Sequence, residues 1–283
     1  GTSAPLYGRA TKGAALGLLA QYYLQTRQWE KASDAAQRVI DLQQYELWPD
    51  VRSLFALTNE GNKEMIYAAP ALALSGYGNV WIANALPPGY PTNIMNTATQ
   101  VCLPLAFYNS FANNDQRKAL ILARYTNNSG TVIDLTTGVE YQNPRSFKYP
   151  LDPAQIERHG GMDFPILRYA EILLIKAEAD VMAGRSISDA LYYLNQVHTR
   201  AGLAPYTSSA APDQARFIAL VLDERKWEFF SEGRRRQDLL RHDQFLQNAI
   251  DRGKSPQAFR QLFPIPQSEM DANPQLVQNE GYY

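Results

Sequence analysis

DFPILRYAEILLIKAEADVMAGRSISDALYYLNQVHTRAGL, residues 163–203, decides how the rest of the chain is read. Ile166, Tyr169, Ile172, Leu173, Ala177 and Val181 recur at three- and four-residue spacing, which lays them along one stripe of a helix. Ala183-Gly184-Arg185 stops that helix, and Ser188-Asp189 opens a second on which Leu191, Leu194, Val197 and His198 share a face. Neither helix hides its stripe alone, so the two must close as an antiparallel hairpin. Ala177 and Ala190 place small side chains where the helices come nearest.

A near copy lies at the start of the chain, AALGLLAQYYLQTRQWEKASDAAQRVIDL, residues 14–42, in register when Ala32 is set over Ala190. Helix, short turn and helix twice over is the grammar of a tetratricopeptide-like repeat, an architecture that needs about three copies for a stable stack. The fold expected is mainly α: tetratricopeptide-like helical repeats at 8–42 and 164–203 within a single domain over 1–283. A long loop-rich insertion over 63–150 separates them, and C-terminal helices with a wrapping tail fill 212–283.

Composition narrows the function classes. Hydrophobic residues make up 45% of the 283, enough for a substantial core. Lys plus Arg number 27 against 28 Asp plus Glu, so no positive field draws nucleic acid or an anionic membrane. No uncharged apolar run of about 18 residues is present to span a bilayer. The single cysteine, Cys102, has no internal disulfide partner and reads as a small core residue.

Helices are expected over 8–27, with Ala14, Leu18, Tyr22 and Leu24 buried, and over 29–42. Residues 45–57 form an irregular crossing cornered at Trp48-Pro49, Glu60-Gly61-Asn62 turns, and 63–69 is extended. From Met65 to Asn114 no residue is charged, in a chain where 19% are. That gap carries Tyr67, Tyr77, Trp81, Tyr90, Phe107, Tyr108 and Phe111 beside Asn79, Asn84, Asn93 and Asn96, broken by Gly and Pro. Disorder would want charge and few aromatics, so the segment reads as a long ordered, functional loop, with a short helix over 105–111. Residues 120–149 alternate around Asn127-Asn128-Ser129-Gly130 as a β-hairpin. A helix over 213–232, a turn at Gly233, a helix over 238–246 and a Pro-broken tail complete the chain.

Catalytic and cofactor signatures fail on inspection. Gly76-Tyr77-Gly78-Asn79-Val80-Trp81 starts like a dinucleotide fingerprint but sets Trp where the third glycine belongs, and GRATKG (8–13) lacks the end of a phosphate loop. His159, His198 and His242 share no ligand spacing, and His198 reads as a core-edge residue. No metal spacing is present, and isolated Asn and Asp residues leave a structural calcium open. Glu224, Glu228 and Glu232 line one helix face, whereas glycosidase carboxylates face each other across a sugar. With Arg225, Arg234, Arg235, Arg236 and Arg241 nearby, they read as an ion-pair network tying two helices.

Glu224-Arg225, Glu228, Glu232-Gly233, Arg235, Asp238-Leu239 and Arg241 set out the pattern E-R-x-x-E-x-x-x-E-G-x-R-x-x-D-L-x-R. This pattern resembles the RagB/SusD family of Bacteroidetes outer-membrane nutrient-binding lipoproteins. Residues 8–32 resemble that family's preceding repeat, 165–179 its repeat-entry helix and 262–282 its C-terminal signature. The family's N-terminal half, with its lipid-attachment cysteine and earlier repeats, is not among these residues. The lipid anchor and the surface-exposed outer-membrane address are therefore implied for the parent protein.

The resemblance implies binding rather than catalysis, with no cofactor: such proteins cap a SusC-type TonB-dependent transporter and hold glycan oligosaccharides at the cell surface. An uncharged, aromatic, Asn-rich insertion suits that task, because aromatic faces stack on sugar rings and amides bond hydroxyls. Trp81, Tyr77 and Tyr90 are the expected stacking platforms, with Asn79 and Asn93 as hydroxyl partners. Tyr22, Tyr23, Tyr169, Tyr192 and Tyr193 lie on repeat helices and are expected to pack. A second reading makes the chain a protein-docking scaffold of the transport complex with little ligand binding of its own. A polysaccharide-cleaving enzyme is the third, with no facing carboxylate pair to serve it.

Overall fold

A computed structural model describes residues 8–94, 101–137 and 143–282. The architecture is mainly helical, as the repeat pattern requires. Helices α1 (Lys12–Gln25) and α2 (Trp29–Ile40) form the first hairpin; strand β1 (Met65–Ala69) and the short helices α3 (Trp81–Ala85) and α4 (Leu105–Asn109) belong to the insertion. Strands β2 (Ile121–Leu122), β3 (Arg124–Thr126), β4 (Val132–Asp134) and β5 (Arg145–Ser146) follow. Strand β6 (Phe164–Arg168) leads into the second hairpin, α5 (Tyr169–Met182) and α6 (Ile187–Arg200), and then α7 (Gln214–Glu228). Beyond Glu232 come α8 (Arg235–Arg241), α9 (Phe245–Asp251) and α10 (Gln267–Ala272).

The two hairpins stack directly, α2 against α5, although more than a hundred residues lie between Ile40 and Tyr169. Ala32, Ala177 and Ala190 are fully buried at these crossings, as their small size allows. Helix α5 exceeds expectation: every residue from Tyr169 to Val181 is buried, so it carries no single stripe and is enclosed on all sides by α2, α6, α7 and α1. Its charges are met both from outside and within the helix: Gln21 Nε2 donates to Glu171 at 2.8 Å, Lys176 pairs with Asp180 one turn on at 2.6 Å, and Ser33 Oγ of α2 donates to Asp180 at 2.5 Å. Gly17 lets α1 cross β6 closely, because a methyl there would overlap Leu167.

Several expectations need correction. Ile166 belongs to β6, which pairs antiparallel with β1; Pro165 cannot donate a helical N–H, and Arg168 is extended (φ −122°, ψ 155°) before the helix begins. The cap of α6 is Ser186, whose hydroxyl accepts from Asp189 N, two residues ahead of the expected start. Leu18 and Tyr22 face solvent, as does Tyr192, whereas Tyr169 is buried and Tyr23 and Tyr193 pack on the core. Cys102 is exposed, because in an extended segment its neighbour Leu103 takes the inward side. Asp213 caps α7, which ends at Glu228, and Ser231 turns the chain at φ +64°. The helix expected over 238–246 is instead two, broken at Asp243, where φ is +56°.

The strands make three two-stranded sheets: β1–β6, β2–β5 and β3–β4. In the last, Arg124, Tyr125 and Thr126 oppose Asp134, Ile133 and Val132, the hairpin foreseen around Asn127–Gly130. Under the insertion lies a second core of Phe55, Phe111, Tyr149 and Phe230, so part of the uncharged, aromatic run, Phe111 among it, packs on aromatic residues from outside the run. The chain divides into two compact units, Gly1–Glu232 and Gly233–Tyr283. In the second, the tail folds back on its own unit: Gln278 bonds both the N–H and the carbonyl of Ile265, and Tyr282 packs edge-on against Phe259. No helix among the described residues is long and apolar enough to cross a membrane.

Candidate functional site

The three glutamates of α7 and its end are fully committed. Glu224 bonds Arg117 Nη1 at 2.6 Å and His198 Nδ1 at 2.7 Å; Glu228 accepts from Arg200 at 2.6 Å, Arg168 at 3.0 Å and Arg117 at 3.2 Å; Glu232 accepts from Lys148 at 2.5 Å and Arg168 at 2.8 Å. Glu64 and Asp115 complete the buried set through Arg168, Arg200 and Arg117. The network expected from sequence is therefore present with other cations, drawn from β6, α6 and the insertion. Arg225 instead pairs with Glu171, and Arg241 with Asp238. Burial pushes the Glu228 and Glu232 carboxyls up, but the surrounding cations, Arg200, Arg168 and Arg117 on Glu228 and Arg168 and Lys148 on Glu232, hold both below the ordinary range. A glycosidase acid must stay protonated near neutral pH, which this environment forbids for either residue.

The insertion offers a different chemistry. Asn79 opens α3: its Oδ1 accepts from Trp81 N at 2.8 Å, its Nδ2 donates to Met162 O at 3.0 Å, and its backbone bridges Gly160 in both directions. Its amide is thus spent on backbone partners. Trp81 is half-buried, its ring packed edge-on against the buried Tyr149 with centroids 5.6 Å apart, and its indole Nε1 has no hydrogen-bond partner in the structure. Tyr77 sits on a tight turn closed by Tyr77 N to Leu74 O and is 72% exposed. Asn93 is exposed; Asn96 lies outside the described residues.

Of the expected stacking residues, Tyr90 has the most fixed ring. It packs with Trp81 on the small cluster of Ile82, Ala85 and Leu86, and it lies between Tyr125 (centroids 5.6 Å, planes at 41°) and Phe147 (5.4 Å, 54°). All three rings are half-buried, so each keeps an open part while its position is fixed. Of the five residues expected from sequence, the structure brings Trp81, Asn79 and Tyr90 to one cluster and its entry, and leaves Tyr77 on a separate turn. Tyr125 and Phe147, which flank Tyr90, are not among the residues named from sequence. Their sequence signal was present but ambiguous: aromatics alternating with polar residues in a hairpin read first as strand formers. Burial pushes the Tyr125 hydroxyl pKa up, so it remains a proton donor at neutral pH. Among the described residues, no group of three His, Cys, Asp or Glu is placed to hold a metal ion.

The SusD-like protein P2 of Formosa agariphila is 29% identical over 96% of this chain, which spans 60% of that protein. The starch-binding protein SusD of Bacteroides thetaiotaomicron is 32% identical over 51% of this chain and 25% of its own length. The fold is similar to that of surface glycan-binding protein A from Bacteroides thetaiotaomicron, solved in complex with laminarihexaose, with a TM-score of 0.79 at 23% identity over 98% of this chain and 65% of that one. This chain therefore spans less than two thirds of the relatives it matches. The sequence profile of the SusD family matches residues 89–282, through the committed glutamates, the second hairpin and the tail; the chain belongs to the SusD family.

Proposed function

We propose that this chain binds glycan oligosaccharides without cleaving them, as part of a surface complex that delivers them to a SusC-type TonB-dependent transporter. The observation that carries the reading is the row of half-buried rings Tyr125, Tyr90 and Phe147, whose central member lies in the segment with no charge from Met65 to Asn114. Fixed, partly open aromatic faces stack on the apolar side of a sugar ring while losing little conformational freedom. Tyr77 and Asn93, both exposed, are the further contacts proposed. Trp81 and Asn79 hold the platform from beneath. Family membership and the names of the relatives, one binding starch and one crystallised with laminarihexaose, support a glucan as first ligand to test. For the parent protein, family membership supports attachment to the outer membrane, facing outward, through a lipid.

Isothermal titration with laminarihexaose and a malto-oligosaccharide, on wild type and Tyr90→Ala, tests this. Removing the central ring is expected to weaken binding about five- to 150-fold, since a base–aromatic stack of comparable size carries about 1–3 kcal/mol. Tyr90→Ala binding as tightly as wild type would overturn the assignment. A scaffold reading is supported by Leu72, Leu74, Tyr77 and Ile156, apolar side chains exposed on two loops joined by the Asn79–Gly160 bridge. That reading predicts association with a purified SusC-type transporter that survives Tyr90→Ala and is lost when Leu72 and Leu74 become serine.

A further inference from the structure

Tyr90 ends a four-residue turn, Pro87-Pro88-Gly89-Tyr90, closed by Tyr90 N donating to Pro87 O at 3.3 Å, with Gly89 at φ +68°. Proline cannot take a positive φ at the second position, and only glycine takes one comfortably at the third, so this is a type II turn. Types I and II differ by a flip of the central peptide plane, here the Pro88 carbonyl and the Gly89 N–H. Glycine leaves both orientations open, so something outside the turn must choose. The hairpin does so: Tyr125 Oη donates to Pro88 O at 2.6 Å, and Asn128 N donates to Gly89 O at 3.0 Å. Asn127 keeps the hairpin tip rigid, its side chain accepting from Ser129 N and Thr131 N.

We propose that Tyr125 is a positioning residue for the glycan platform: its hydroxyl locks the Pro88–Gly89 peptide plane, and through that turn it sets the orientation of the Tyr90 ring. This inference rests on the platform reading above, and it assigns β3–β4 the work of a brace whose aromatic residue both touches Tyr90 and fixes the backbone beneath it. Without the hydroxyl the Pro88 carbonyl is released to water, the central peptide flips, and the Tyr90 ring samples orientations that do not match a sugar face.

The test is Tyr125→Phe, which keeps the ring and removes only the latch. Amide hydrogen exchange is followed at Tyr90 and Asn128, with Leu135, whose N–H donates to Ala123 O at 2.8 Å across the ladder, as internal reference. Exchange at Tyr90 should rise about three- to tenfold, the factor a single hydrogen bond carries, with the ladder unchanged and laminarihexaose affinity reduced by a similar factor. Unchanged exchange at Tyr90 and Asn128 overturns the latch. If exchange rises while Tyr90→Ala leaves glycan binding intact, the latch stands as a structural device and its role at the platform is refuted. If Tyr90→Ala abolishes binding and Tyr125→Phe alters neither exchange nor affinity, the platform stands and the positioning role falls.

Discussion

Replacing Glu228 by glutamine removes one negative charge from the middle of the buried network and almost nothing of its shape. Glu228 accepts from Arg200, Arg168 and Arg117, all within 3.2 Å and all buried. After the change Arg200 keeps Glu64 as its remaining carboxylate at 2.9 Å, and Arg117 and Arg168 each lose one of theirs. Breaking a buried pair by removing one partner costs about 3–5 kcal/mol, because the other charge is left desolvated. Glutamine still accepts one hydrogen bond, so the loss should sit near the lower end, about 3 kcal/mol. For a chain of this size that is a fall of about 6–12 °C in the thermal midpoint at pH 7. Arg124 and Asp134 supply the control, an ion pair with the same 2.6 Å separation as Arg200–Glu228 but open to solvent, whose loss in Arg124→Ala should leave the midpoint unmoved. The pH dependence adds a second arm. The Glu228 carboxyl is held below its ordinary value of 4.5, so its stabilisation is present above that pH and drains as acid protonates the unfolded chain first. The gap between wild type and Glu228→Gln should therefore narrow from pH 5 to pH 3. A fall in midpoint no larger than that of Arg124→Ala, or a gap independent of pH, would refute the account.

Burial pushes Lys148 down to about 8, with Glu232 opposing, so between pH 8 and its ordinary 10.5 the unfolded chain holds a proton that the folded one lacks. Chemical denaturation of wild type against Lys148→Met should show the lysine's contribution growing more favourable as pH rises through that window. Gly17→Ala adds a methyl that overlaps Leu167, and the resulting overpacking should cost about 1–3 kcal/mol in urea midpoint terms despite alanine's better helix propensity. Cys102, exposed and without a disulfide, should react fully with a thiol reagent in the native state as fast as in urea. A tenfold slower native reaction would place it back in a core.

The three glutamates of the family pattern are read from sequence as ion-paired, and so they are, with cations that come from far along the chain. Sequence proximity suggests Arg225, Arg234, Arg235, Arg236 and Arg241; the structure brings Arg117, Lys148, Arg168 and Arg200 to the three carboxylates, from as far as 111 residues away. Charge tells that a buried carboxylate needs a cation, but only the fold says which cation reaches it. The same division holds at the platform. Tyr90 is named from sequence as one aromatic among several in an uncharged run, others of which pack in a core, whereas Tyr125 and Phe147 come to flank it only because β3–β4 and the β5 segment fold over the 87–90 turn.

By itself the sequence determined the local terms: helix periodicity, small residues at crossings, turn glycines, the Asn127–Gly130 hairpin and the repeat that makes two distant segments equivalent. These are set within a few residues by propensity and pattern, so they survive without knowledge of the rest of the chain. Tertiary structure alone decided that Ile166 extends as strand beside β1, that Tyr22 and Tyr192 face outward while Tyr169 is buried, and that the amide of Asn79 is spent on the Met162 carbonyl and the Trp81 N–H. Each of these outcomes depends on which distant surface arrives to compete for the residue. Burial and hydrogen-bond satisfaction are properties of a contact, and a contact across a hundred residues leaves no mark in the spacing of either partner.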